Sequence, residues 1–223
     1  MSNSEVVEIF VSPFSQPARA VWWFCKLQNV PHEFKPIQLG QGDHKTAEYK
    51  AINYFQRVPA LRCGSFTLSE SGAILTFLSR KYGAGTDWWP EDLEVAGRVA
   101  EYIAWHCGAT GLQAAGVGWV FPSVFASQRD DALIADRRVD FHKALDVLEQ
   151  YFLARNTAYI AAEHLTVADL LAAPEVAQIH MIDDATFTLD KHPKVKAWFE
   201  RMRALPDYQS IHEQVLQRKK IDF

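Results

Sequence analysis

Apolar positions cluster first in Val6-Val7-Glu8-Ile9-Phe10-Val11, a short β-rich run that stops at Ser12-Pro13. Pro17 suits the first turn of a helix, where its missing N–H costs nothing. Ala18 to Gln28 continues that helix, and Asn29 with Pro31 ends it. His32 to Leu39 reads as a second strand, Gly40 to Asp43 as a turn, and a short helix follows through Tyr49. Val58-Pro59-Ala60-Leu61 reads as a third strand, Cys63-Gly64-Ser65 as a tight turn and Phe66-Thr67-Leu68 as its hairpin partner. From Ser69 to Tyr82 the apolar residues Ala73, Ile74, Phe77, Leu78 and Tyr82 recur at three and four, the helical period.

The order is therefore β-α-β-α-β-β-α within residues 1–82. A helix joins the first two strands, which predicts a parallel pair, and the last two predict an antiparallel hairpin. That is the order of a thioredoxin-like α/β domain. Residues 83–90, Gly-Ala-Gly-Thr-Asp-Trp-Trp-Pro, read as a linker that packs through Trp88 and Trp89. Residues 91–223 read as all-helical. Phe141, Leu145, Leu148 and Phe152 make one apolar stripe, and Val195, Trp198, Phe199 and Met202 another. Thr166-Val-Ala-Asp169 has the spacing of a capping box, with Leu165 and Leu170 at staple positions. Pro193 and Pro206 each open a further helix, while Gly108, Gly111, Gly116, Gly118 and Pro122 predict a bent or broken first helix in this half.

Composition narrows the class. An apolar fraction of 48% supports a real core, and a net charge of −4 with dispersed Lys and Arg argues against a nucleic-acid partner. The one basic cluster, Arg218-Lys219-Lys220, reads as a solvated end. The longest fully apolar run, Ala20 to Cys25, is far short of the ~20 residues a membrane helix needs. The start, Met1 to Phe10, lacks the apolar core of a secretion signal. Three cysteines, Cys25, Cys63 and Cys107, offer neither a disulfide framework nor a metal spacing. They read as small buried hydrophobes in a reducing, cytoplasmic setting.

Four polar features of the first 82 residues carry chemistry. Ser12-Pro-Phe-Ser15-Gln-Pro lies between a strand and a helix start, where an anion is favoured; taken alone, an N-cap serine is the plainer reading. Val58-Pro59 enters a strand. It is either an ordinary edge proline or, as in thioredoxin-like folds, a cis-proline that leaves the preceding backbone open to an extended peptide. Ser69-Glu70-Ser71-Gly72 can hold an α-amino-acid head, Glu70 taking the ammonium and Ser71 the carboxylate, or simply cap a helix. Gly42-Asp43-His44-Lys45, with Arg57, offers positive charge for a second carboxylate, or is a solvated loop. Taken together they match one ligand: an amino-acid head, an extended middle bearing a thiol, and a terminal carboxylate, which is glutathione.

The segments Ser15-Gln-Pro-Ala-Arg-Ala-Val, Gly42-Asp-His-Lys45, Arg57-Val-Pro-Ala-Leu61 and Phe66-Thr-Leu-Ser-Glu-Ser-Gly-Ala-Ile-Leu75 resemble the theta class of glutathione S-transferases. The likeness is looser beyond Tyr82, through Trp88-Trp89-Pro90, Glu101-Tyr-Ile-Ala-Trp-His106 and Leu165-Thr-Val-Ala-Asp-Leu170. The resemblance implies the glutathione S-transferase fold and a catalytic Ser15, with Ser12 as the competing hydroxyl. It implies that His44, Lys45 and Arg57 hold the glycine carboxylate and that Val58, before Pro59, meets the cysteinyl backbone. Glu70 and Ser71 would take the γ-glutamyl end, with Gln16 also at the ligand. It implies a homodimer, a small hydrophobic electrophile as second substrate, and no metal. The family's Asn-Pro is Asn53-Tyr54 here, and the stretch His106 to Gly111 lacks the arginine some members place there, with Gly108 where they carry an acid. Serine in place of cysteine at 12 and 15 favours conjugation or peroxide reduction over thiol–disulfide exchange. A protein that keeps the fold without catalysis is the competing expectation. Phe14, Trp119, Phe121 and Phe125 are candidates for lining the acceptor pocket.

Overall fold

The computed structural model describes residues 6–83, 87–155 and 157–220 of the 223-residue chain. Residues 84–86 of the expected linker therefore lie outside the described residues.

Four strands, β1 (Val7–Val11), β2 (His32–Pro36), β3 (Ala60–Cys63) and β4 (Phe66–Ser69), form one sheet in the order β2-β1-β3-β4. β1 and β2 are parallel, and β3 is antiparallel to both β1 and β4. The mixed sheet follows from the connections. Helix α1 (Gln16–Leu27) carries the chain back between β1 and β2, whereas a two-residue turn at Gly64 joins β3 to β4. Gly64 has φ +59°, a conformation that suits a residue without Cβ. Helices α2 (Ala47–Ile52) and α3 (Ser71–Tyr82) complete this layer.

The strand edges differ from the periodicity at two points. β2 stops at Pro36, because Leu39–Gln41 tightens into a 3₁₀ turn closed by Gly42 at φ +81°. β3 begins at Ala60, two residues after the apolar run starts.

The rest of the described chain is helical: α4 (Leu93–His106), α5 (Leu112–Val120), α6 (Asp131–Val147), α7 (Val167–Gln178), α8 (Pro193–Arg203) and α9 (Tyr208–Leu216). The glycines do divide the first of these. A Cβ at Gly111 would lie 2.0 Å from the Trp105 carbonyl oxygen, so only glycine permits the tight turn between α4 and α5. Pro122 sits in a single π-helical turn, Phe121–Phe125, that closes α5.

Every residue of α7 is buried, because α1 and α3 of the first layer and α4, α5, α8 and α9 all pack against it. Both predicted stripes on α6–Phe152 and on α8 are fully buried around it. Its N-terminus is a capping box: the Asp169 carboxylate accepts the Thr166 N–H at 2.9 Å, and Thr166 caps in return. Trp88 is buried against Phe24 of α1, with ring centroids 5.3 Å apart, and Trp89 is half-buried.

Candidate functional site

The sheet register brings the separate polar motifs to one end. Phe10 pairs with Ala60, and Ala60 pairs with Ser69. Residues just after Phe10, just before Ala60 and just after Ser69 therefore emerge together. These are Ser12–Ser15, Arg57–Pro59 and Glu70–Ser71. Val11 pairs with Pro36, and Ile37 N–H donates to the Val11 carbonyl at 2.9 Å. The loop to His44 and Lys45 thus leaves from the same end. Motifs spread over nearly 60 positions converge because antiparallel and parallel neighbours share that edge.

Ser15 is the N-cap of α1, half-buried, with extended backbone angles. Its Oγ accepts the Ala18 N–H at 3.4 Å, and its N–H donates to the Ser12 carbonyl at 2.9 Å. The hydroxyl oxygen accepts from α1, and among the described residues its proton has no acceptor, so Ser15 is available as a donor beside the positive end of the helix. Ser12 is only 4% exposed, so of the two hydroxyls Ser15 is the more open to a ligand.

The Val58–Pro59 peptide is cis. The turn before it is fixed from inside: the Arg57 carbonyl accepts from Tyr49 Oη at 2.7 Å and from Asn53 Nδ2 at 2.6 Å. Asn53 is buried and also accepts the Phe55 N–H at 3.0 Å. The Arg57 side chain stays exposed, as do Lys45 and Glu70, while His44 is half-buried. His44 Nδ1 is buried with no hydrogen-bond partner, and burial, helped by the Lys45 charge, lowers its pKa. Glu70 has φ +67° and ψ +115°, which turns the chain sharply before the buried Ser71. Gly72 then allows α4 to approach, since a Cβ there would meet Ile103 Cγ2 at 2.7 Å.

Gln16 stands apart from these open groups. It is 6% exposed and lies beside the buried carboxyl of Glu175 on α7. The aromatic candidates divide as well. Trp119 is fully buried among Phe141 and Phe187 and belongs to the core. Phe121 and Phe125 are exposed, and Phe14 packs edge-on to Phe125 at 6.2 Å. Cys25 and Cys63 are buried, as expected of small hydrophobes, but Cys107 is exposed at the C-cap of α4. There the turn into Gly108 leaves no helix face to cover it. Partial burial, then the Glu70 and Glu175 charges, push its thiol pKa up.

No pattern in the sequence assigns a role to Arg19, Gln178, Glu175 or His106, yet they form a buried polar seam between α1, α4 and α7. Arg19 is fully buried on α1, and burial lowers its pKa to about 10, so it remains a cation at neutral pH. Its guanidinium donates to the Pro13 carbonyl at 2.9 Å, the Pro174 carbonyl at 3.0 Å and Gln178 Oε1 at 2.6 Å. Gln178 Nε2 in turn donates to the Phe14 carbonyl at 3.4 Å. The turn that presents Ser15 is thus tied to α7 through two of its own carbonyls. The available signal was weak: one arginine on an otherwise apolar helix face, four residues after Ser15.

His106 and Glu175 are both fully buried and 4.0 Å apart, and they are not an ion pair. Burial lowers the His106 pKa to about 3, so His106 is neutral at pH 7, and burial raises that of Glu175 well above the usual range despite the Arg19 charge. Tyr102 Oη shares a hydrogen bond with His106 Nδ1 at 3.2 Å. A histidine with a depressed native pKa stabilises the fold above its unfolded pKa of about 6.5, and that stability is lost as pH falls toward 3. Glu175 acts with the opposite sign, its contribution being greatest below its unfolded pKa. His106→Gln is therefore expected to gain stability relative to wild type as pH drops from 6.5 to 4.5, by up to roughly 1.4 kcal/mol per pH unit. Urea unfolding at stepped pH measures it; a pH-independent difference between the two proteins contradicts the buried neutral histidine.

Residues 9–86 match the N-terminal domain of glutathione S-transferases, and residues 112–206 match the C-terminal domain. The chain is 35% identical over 219 residues to glutathione S-transferase theta-3 of Mus musculus, covering 96% of this chain and 90% of that one. It superimposes on human glutathione-S-transferase T1-1 in its apo form with a TM-score of 0.87 at 32% identity, covering 96% and 91% of the two chains. A human theta-class transferase in complex with the glutathione conjugate of 1-menaphthyl sulfate aligns with a TM-score of 0.85 at 32% identity, covering 95% and 87%.

Proposed function

Because this chain belongs to the glutathione S-transferase family, with theta-class relatives, we propose that it joins the thiolate of glutathione to small electrophiles and that Ser15 holds that thiolate. The observation that carries the reading is the half-open Ser15 hydroxyl, its acceptor side taken by α1 and its proton free, at the sheet end it shares with Val58-Pro59 and Glu70-Ser71.

The magnitudes are sufficient. A free thiol of pKa ~8.5 is only a few per cent ionised at pH 7. A drop of about two units needs ~2.7 kcal/mol. A hydrogen bond to a charged group supplies ~1.5–3 kcal/mol, and a helix N-terminus adds ~0.3–2 kcal/mol. Ser15 donates to the sulfur and forms no covalent bond to it. The thiolate attacks the electrophilic carbon, the leaving group departs with its electron pair, and a carbon–sulfur bond remains. With an organic hydroperoxide the same thiolate attacks the terminal oxygen: the S–O bond forms, the O–O bond breaks, the alcohol leaves, and a second glutathione turns the sulfenic acid into glutathione disulfide and water.

His44, Lys45 and Arg57 take the glycine carboxylate of glutathione, and exposure of Lys45 and Arg57 favours this. Val58 offers its backbone to the cysteinyl residue; among the described residues neither its N–H nor its C=O has a hydrogen-bond partner. Glu70 and Ser71 receive the γ-glutamyl group. Gln16 contributes through the backbone at the start of α1, its side chain being buried. In this reading residues 1–82 bind glutathione, 83–90 link, and 91–223 supply the electrophile site through Phe121 and Phe125. The protein works as a cytoplasmic homodimer; its three cysteines, none of them in a disulfide, fit a reducing compartment.

Retention on immobilised glutathione, followed by assays with alkyl halides, aryl halides, isothiocyanates and organic peroxides, tests the function. Retention with turnover of at least one class is expected. Retention with none makes the protein a glutathione binder, and absence of binding removes the reading.

A further inference from the structure

The basic cluster at 218–220, solvated by its composition, is not simply a free tail. The Arg218 guanidinium carbon lies 4.5 Å from the centroid of Phe14, the ring next in sequence to Ser15. Phe14 meets Phe125 edge-on at 6.2 Å, and Phe125 meets Phe121 at 6.4 Å. The backbone around Arg218 is tied down. Gln217 N–H donates to Glu213 at 2.8 Å, Arg218 N–H to Val215 at 3.0 Å, and Lys220 N–H to the His180 carbonyl at 2.7 Å. Among the described residues no carboxylate pairs with Arg218, whose side chain is exposed.

We propose that Arg218 sets acceptor specificity, selecting aromatic electrophiles that carry an anionic group. A guanidinium over a ring face is attracted by the π-quadrupole, and this leaves its in-plane N–H fork free for a carboxylate or sulfonate. The two exposed phenylalanines offer apolar surface for the electrophile's own ring. Charge and ring surface thus meet within one residue of the thiolate holder. Lys219 and Lys220 add to the positive field around it.

A concrete acceptor is 4-(bromomethyl)benzoate. Glutathione thiolate, its proton already released to solvent, attacks the benzylic carbon; the C–S bond forms, the C–Br bond breaks, and bromide leaves with the bonding pair. The carboxylate is unchanged and faces Arg218.

The proposal rests on the glutathione site proposed above, and binding separates the two. Dissociation constants of full-length wild type and Arg218→Gln are measured for glutathione, for S-(4-carboxybenzyl)glutathione and for the methyl ester of that conjugate. The ratio of ester to acid dissociation constants is expected to fall about fivefold in Arg218→Gln, the upper end for an exposed charge pair. In wild type that ratio should also decline as salt is raised. If glutathione binds but the ratio stays the same in the variant, the Arg218 assignment is wrong and the glutathione site stands. If wild type binds neither glutathione nor either conjugate, both are wrong.

Discussion

Ser15→Ala is expected to raise the pKa of enzyme-bound glutathione by about one to two units, the equivalent of losing a hydrogen bond to a charged group worth ~1.5–3 kcal/mol. Conjugation at pH 7 should fall by about tenfold to a hundredfold, since the thiolate fraction falls with it. Thiolate absorbance titrated against pH in the presence of saturating glutathione reads the effect directly. The variant also loses a helix cap, at a cost of ~0.5–2 kcal/mol, so the titration is paired with a thermal melt. Ser15→Thr keeps both the hydroxyl and the cap and should restore most of the thiolate. An unchanged thiol pKa in Ser15→Ala would transfer the role to Ser12, whose 4% exposure argues against it.

The largest effect on stability is expected at Asp169. Its carboxylate is fully buried and accepts four hydrogen bonds: Ile160 N–H and Trp198 Nε1–H on Oδ1, each at 2.9 Å, and Thr166 N–H at 2.9 Å and Oγ1–H at 3.0 Å on Oδ2. One side chain therefore caps α7, pins the loop before it and anchors α8. Asp169→Ala strands these donors in the core and is expected to cost about 3–5 kcal/mol, as for a broken buried charge network. For a chain of this length that lowers the melting temperature by about 10 °C. Asp169→Asn keeps the shape but turns an amide donor toward other donors, and should lie between. A melting temperature for Asp169→Ala within about 2 °C of wild type would show that the network carries little of the fold's stability.

Much of this architecture was legible in the sequence. The β-rich run of β1, the period of three and four in α3, and Thr166–Asp169 each specify their element through local geometry. Local rules suffice there because the contacts lie within four residues. Cys107 and Trp119 show where such rules stop. A cysteine resembles its buried neighbours in sequence, and only the break after α4 exposes it. A tryptophan near two surface phenylalanines resembles them, and only the packing of α5 against α6 buries it.

The site divides along the same line. Ser15, Val58-Pro59, Glu70-Ser71 and the basic loop could be picked out as candidates because each motif is short and chemically distinct, and the sheet register brings them to one end. The sequence by itself determined that a hydroxyl, and not a thiol, stands at positions 12 and 15, which is why the proposed role of Ser15 is to hold a thiolate and not to exchange a disulfide. Only the tertiary structure decided that Gln16 turns inward, that Arg19 and Gln178 hold the Ser15 turn from α7, and that Arg218 lies over Phe14. Those contacts join residues 155 to 204 positions apart in sequence. No local period records such pairings; they arise when two separately legible halves bury their apolar faces against each other.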